Sequence, residues 1–316
     1  MCMSIFIQAI SGVLVILIMI ALGFILARND WFDSKMTSMI AKLVTQIALP
    51  AYMVSTIMEK FTAKKLLSTL PDVAFPFVSM FVLYIVSILI VKICKIPKIH
   101  SGLFESMFSN SNTVFVGLPV NMALFHSPSL PFVLVYYMVN TTFFWTLGVY
   151  LIQKDGTTEA KLNFKRTLKK VFSPPLLGFM VGIVLVLLHA RVPDFVMQDL
   201  NYIGGLTIPL SMIFIGISIN SVDLSHLHFD RSNFLILFGR FLLAPTIMAL
   251  LVIPSGMPTL MKQVFIMQSA MPIMTNAPVV SRLYHADSDY ASIMVAETTL
   301  LSLIVIPVLM VLVQKV

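Results

Sequence analysis

Two stretches of this sequence carry polar side chains where their surroundings offer almost none. Ser109 to Pro119 reads S-N-S-N-T-V-F-V-G-L-P, and Ser269 to Pro278 reads S-A-M-P-I-M-T-N-A-P. With no neighbouring base to activate them, these hydroxyls and amides are hydrogen-bond donors and acceptors rather than nucleophiles. The chemistry on offer is recognition, and the free N–H groups and positive dipole end of a helix N-terminus would turn it toward an anion. The residues placed to line such a site are Asn112, Ser109, Ser111, Gly117 and Pro119 in the first stretch, and Thr275, Asn276 and Pro278 in the second. Asn140 opens the run Asn140-Thr141-Thr142, a glycosylation sequon by pattern. It falls inside an apolar segment that no glycosyltransferase reaches, so its polar groups are read as facing the same cavity.

Two charges are buried in apolar runs. Glu297 and Arg240 each sit far from the nearest segment end, where a charge costs at least about 2.5 kcal/mol, so each must be paired, protonated or functional. Two readings stand: a structural Arg240–Glu297 ion pair, or Arg240 as partner of a substrate carboxylate with Glu297 coupling protons. Glu105, nearer a segment end, reads as interfacial. No catalytic constellation accompanies them. The six histidines, His100, His126, His189, His226, His228 and His285, fall mostly in loops without an H-E-x-x-H pattern. Cys2 and Cys94 have neither metal-ligand nor disulfide-framework spacing. No metal and no cofactor is expected, and the chain does not read as an enzyme.

The elements that must position these residues are membrane spans. The chain is 58% hydrophobic and 11% charged, with a mean hydropathy of +0.95, whereas soluble domains carry about 25% charged residues. At about 20 apolar residues per span, the runs fall at 5–27, 37–58, 70–91, 102–124, 131–152, 174–189, 200–219, 232–252, 260–281 and 290–313. The first begins without a basic leader and is longer than a signal-peptide core, so it is read as retained. The net charge of +7 is spread over short loops and reads as a topology signal rather than a nucleic-acid footprint. With both termini outside, the inner loops hold 14 of the 21 Lys and Arg residues and the outer loops 6, leaving Arg240 within a span. The positive-inside rule therefore puts both termini outside the cell membrane.

The chain also repeats. Pro209 follows Pro50 by 159 positions, and Pro278 follows Pro119 by the same 159. Five spans per half is an odd number, so the halves enter the membrane in opposite senses. The expected fold is all-α and polytopic, ten helices in a 5 + 5 inverted repeat of the NhaA kind, with spans four and nine broken. Its parts are a first repeat, 1–153, a basic cytoplasmic linker, 154–173, and a second repeat, 174–316. Proline and polar groups within a span must line a cavity or lie buried in protein, and the break in span four is expected at Gly117 and Pro119.

The stretch N-T-V-F-V-G-L-P at Asn112–Pro119 resembles the N-T-L-V-M-G-I-P pattern of the auxin efflux carrier family. That family includes plant auxin exporters and bacterial malonate and malate permeases. The similarity extends through A-P-V-V-S-R-L-Y-H-A-D and T-T-L-L-S-L-I-V-I-P. It implies a scaffold of spans one, two, six and seven, a transport part of spans three to five and eight to ten, and elevator-type alternating access. It also implies an organic carboxylate substrate near Asn112, with Pro119 and Pro278 marking the crossing. The short linker resembles the permease branch, which implies a dicarboxylate such as malate or malonate. The expected partners are that organic anion, protons as coupling ion, the lipid bilayer and a second copy in a homodimer, with no nucleic acid. The alternatives weighed are a cation/proton antiporter of the same fold using Glu297 and, from another class, a membrane receptor or intramembrane enzyme.

Overall fold

A computed structural model describes residues 2–64, 71–156, 172–220 and 230–314, residues 2–13 and residue 16 by backbone alone. Most of the linker 154–173 lies outside the described residues. The secondary structure described is helical, interrupted by one isolated antiparallel bridge between Ser111 and Ile273. The helices are α1 (Cys2–Arg28), α2 (Ser34–Lys60), α3 (Pro71–Cys94), α4 (Ser101–Ser109), α5 (Thr113–Phe125) and α6 (Ser127–Gly156). They continue with α7 (Pro174–Leu187), α8 (Asp194–Asn220), α9 (Arg231–Val252), α10 (Thr259–Ser269), α11 (Ala277–Leu283) and α12 (Ser288–Val313). Among the described residues, α2, α3, α6, α8, α9 and α12 are long and apolar enough to cross a membrane.

The burial pattern fits a lipid solvent. On α3 the exposed stripe Phe77, Phe81, Ile85 and Leu89 is wholly apolar, while Ser79, Tyr84 and Ser87 are buried. Water would favour the reverse. In lipid the polar groups must turn inward to find partners, as Ser87 does by donating to the Tyr84 carbonyl.

Prolines within the helices have a local cause and a local remedy. The π turns Val44–Ala48, Thr113–Gly117 and Gly239–Leu243 each end two residues before Pro50, Pro119 and Pro245 respectively. A proline lacks the N–H and presses its ring on the carbonyl four residues back. Opening one turn of the helix gives that carbonyl room, so the helix continues. This moves the break of span four from where the sequence put it. The chain leaves helical geometry at Asn110–Asn112, and Pro119 lies inside α5. The opposite break runs through Ala270–Asn276, with Pro278 in the first turn of α11.

By packing, the helices sort into two groups. Helix α1 lies along the second half of α8, and α2 packs against α7 and α8. Helix α3 packs on α4, α6 and α9, while α10 touches α6 and α9, and α11 touches α12 and α6. The α1–α8 contact depends on glycine. A Cβ on Gly216 would lie 2.1 Å from the Ile20 carbonyl oxygen, and one on Gly23 would lie 2.4 Å from that of Ile213. Small residues permit this backbone approach, which drives association where lipid removes the hydrophobic incentive. Gly216→Ala should therefore lower thermal stability by roughly 1–3 kcal/mol, the cost of overpacking. Gly205→Ala, where nothing lies within 4 Å, is the matched control and should be near neutral in the same melting assay.

Several helices end on a non-glycine residue in the left-handed region: Asp30, Lys95, His126, His189 and His285. Three histidines read as loop residues are thus helix terminators. His100 also has a structural part, with Nδ1 lying 3.5 Å from Asp287 and the ring packed on Tyr290.

Candidate binding site at the helix crossing

The two breaks meet. Asn112 N–H donates to the Pro272 carbonyl at 2.7 Å, beside the Ser111–Ile273 bridge. Unwound backbone at this depth needs partners, and side chains from neighbouring spans supply them. Asn140 accepts from Ser111 N–H through Oδ1 at 2.9 Å and donates Nδ2 to the Ser111 carbonyl at 2.9 Å, so its amide pairs with the chain as a strand neighbour would. Asn110 Nδ2 donates to the Asn140 carbonyl at 3.1 Å, and the Tyr84 hydroxyl donates to Asn110 Oδ1. Across the crossing, Ile273 N–H donates to Thr298 Oγ1 at 3.2 Å. Thr298 follows Asn140 by 158 positions, close to the repeat offset, and serves its break as Asn140 serves the first.

Asn112 is held differently. Its Oδ1 accepts from Phe115 N–H at 3.1 Å and caps α5. That bond fixes the amide's orientation and leaves Nδ2, buried in a residue only 2% exposed, with no partner among the described residues. The amide faces a cavity of about 560 Å3, within the range of small-molecule sites. Helix α5 contributes Asn112 and Val116, and α8 contributes Phe214, Ile215, Ser218 and Ile219. Thr275 and Pro278 come from the second break, and Asp289, Ser292, Ile293, Val295, Ala296 and Thr299 from α12. The hydroxyls of Ser218, Ser292 and Thr299 donate to carbonyls of their own helices. Among the described residues the lining includes no Lys, Arg or His, so an anion held by these residues would depend on the Asn112 amide, the start of α5 and rearranged hydroxyls.

The sequence candidates are thus divided. Asn112, Thr275 and Pro278 share the cavity wall. Ser109, Ser111 and Asn140 are buried within the crossing: Ser111 and Asn140 bond to each other, and the Ser109 carbonyl accepts from Arg240, its hydroxyl having no partner among the described residues. Gly117 serves a close contact, since a Cβ there would lie 2.1 Å from Gln268 Oε1, and Pro119 is buried behind it. Asn276 precedes α11 without a side-chain cap. The cavity residues that sequence reasoning passed over had a signal on α12. Asp289, Ser292, Ala296 and Thr299 are spaced by three, four and three, one small or polar face on an apolar helix.

The Arg240–Glu297 ion pair is not formed. Every guanidinium N–H of Arg240 goes to a backbone carbonyl, Nε to Met271, Nη1 to Phe108 and Ser109, and Nη2 to Ser269 and Met271. Glu297, 4% exposed, instead accepts from Asn233 Nδ2 at 3.1 and 3.3 Å. The physical reason is that two helix ends already supply the negative charge Arg240 needs. Nor is an N–H left over in this arrangement for a substrate carboxylate. Glu105, expected at the interface, is 7% exposed within α4.

Comparison with known proteins agrees with this architecture. A profile of the family described as membrane transport protein matches residues 8–310. An uncharacterized transporter of Methanocaldococcus jannaschii is 25% identical over 305 residues, covering 93% of this chain and 95% of the relative. One of Methanothermobacter thermautotrophicus is 25% identical over 323 residues, covering 96% and 98%.

Proposed function

Because the chain belongs to the membrane transport protein family, the auxin efflux carrier family of the resemblance above, we propose that it is a secondary transporter of a small organic anion in the cytoplasmic membrane. One observation carries this reading: the Asn112 Nδ2, without a partner among the described residues, buried at the junction of two broken helices in a residue that lines the cavity. A buried amide donor without a protein partner is costly, and a ligand carboxylate would satisfy it. We read α4 with α5 and α10 with α11 as single crossings, which makes ten spans, and take from the loop charges that five lie in each inverted half with both termini outside. In a background with Cys2 and Cys94 replaced by Ser, a membrane-impermeant thiol reagent should reach Ser34→Cys only from the cytoplasm and Gly256→Cys only from outside. Both reacting from one face would exclude the topology.

The packing groups support alternating access in which α1, α2, α7 and α8 stay fixed and the remainder moves. The family likeness points to a dicarboxylate such as malate or malonate. A second reading, favoured by the wall of Phe214, Ile215, Ile219 and Ile293 and by Asp289, is a single carboxylate on an apolar body, because a second anionic group would meet no cation there. A proton as coupling ion would fall to Glu297. Uptake of radiolabelled malate, malonate and apolar monocarboxylates into proteoliposomes, with and without a pH gradient, separates these readings. Uptake of none of them, by correctly inserted protein, would reject the anion assignment.

A further inference from the structure

Arg240 stands where both broken helices end. Its own helix comes close at that level, because a Cβ on Gly239 would lie 2.1 Å from the Phe108 ring. The side chain is fully buried. Its five N–H groups form a planar fork, and each finds a carbonyl at 2.6 to 3.2 Å: Phe108 and Ser109 at the C-terminus of α4, Ser269 and Met271 at and just past that of α10. The last carbonyls of a helix have no intrahelical partner, and a helix C-terminus carries about half a negative charge. Two such ends come to about one, which one guanidinium balances without any carboxylate.

We propose that Arg240 is the positioning residue of the crossing: it clamps the C-termini of α4 and α10, one from each half of the chain, so that Asn112 and Thr275 face one cavity before any substrate arrives. The role of that cavity rests on the transport reading; the clamp itself does not. Lysine would keep the charge but offers three donors from a single point, so it can serve only part of the fork.

The test needs no ligand. Ser111→Cys and Ile273→Cys, in a chain with Cys2 and Cys94 replaced by Ser, face each other across the antiparallel bridge at a separation suited to a disulfide. Oxidative cross-linking of monodisperse protein should slow by roughly tenfold or more with Arg240→Gln, the least that losing one charge-assisted bond implies. Arg240→Lys should recover part of that rate. Cross-linking at the parental rate in Arg240→Gln would overturn the clamp; should that variant not fold, the parental rate in Arg240→Lys does so. Malate and an apolar monocarboxylate are then titrated against the Lys variant. Affinity lost while cross-linking is unchanged would mean that Arg240 touches the anion, which also overturns the proposal. Failure of every carboxylate to bind the parent would instead count against the transport reading and leave the cross-linking result standing.

Discussion

Asn112→Asp should keep the cap of α5 and remove most of the anion affinity, at a stability cost of about 2.5 kcal/mol or more for the charge it buries. The two ends of this side chain do different work. Oδ1 caps α5 by accepting from Phe115 N–H, a task Asp performs about as well as Asn. Nδ2 is the free donor at the cavity, and in Asp a carboxylate oxygen takes its place and faces the substrate's own carboxylate. Asn112→Ala loses both functions. Its cap loss costs about 0.5–2 kcal/mol of stability, and its donor loss weakens binding on the order of 10- to 150-fold, from roughly 1.5–3 kcal/mol for a hydrogen bond to a charged group. Asn112→Asp should bind more weakly still. Calorimetry on purified protein, with the best-transported carboxylate of the uptake panel, reads the affinity, and a melting curve reads the cap. Asn112→Asp binding as tightly as the parent would move the site elsewhere.

Asn140→Ala should show the opposite profile, with a loss of stability that precedes any question of binding. Its amide is the partner of both Ser111 N–H and Ser111 carbonyl, and Asn140 is fully buried. Alanine would orphan the Ser111 N–H at about 1–3 kcal/mol, in surroundings where no water replaces its partner, while the Ser111 carbonyl keeps the Thr113 N–H at 3.0 Å. A loss of roughly 1–3 kcal/mol is a sizeable share of a total of about 5–15. Asn140→Asp keeps an acceptor for Ser111 N–H but buries a charge against the Ser111 carbonyl, so it should be no more stable than Asn140→Ala. A fluorescence-detected melting series checks the ranking. Asn140→Ala melting with the parent, and losing only affinity, would make this side chain a ligand contact rather than a support for the backbone.

The stretches Ser109 to Pro119 and Ser269 to Pro278 each contain a break, legible because proline and polar groups inside apolar runs are costly in hydrocarbon and so stand out against it. Composition alone established a polytopic helical membrane protein for the same reason: lipid restricts the spanning structures to very few. The exact place of the first break was not legible. Proline announces an interruption, but a π turn absorbed the one at Pro119, and the true opening at Asn110–Asn112 depends on Asn140 and Pro272 being near enough to take its hydrogen bonds. The sequence favoured Asn112 over its polar neighbours by resemblance, without a physical ground for the choice. The tertiary structure supplies one against Ser111, whose backbone is paired with Asn140, since hydrogen-bond satisfaction is settled by residues from distant spans. The same holds for Arg240 and Glu297. Opposite charges within two apolar spans suggest a pair, yet two helix C-termini, 131 and 29 positions away along the chain, supply a counter-charge that no reading of side chains alone would reveal, because a helix dipole belongs to the backbone and acts only where the fold brings its end.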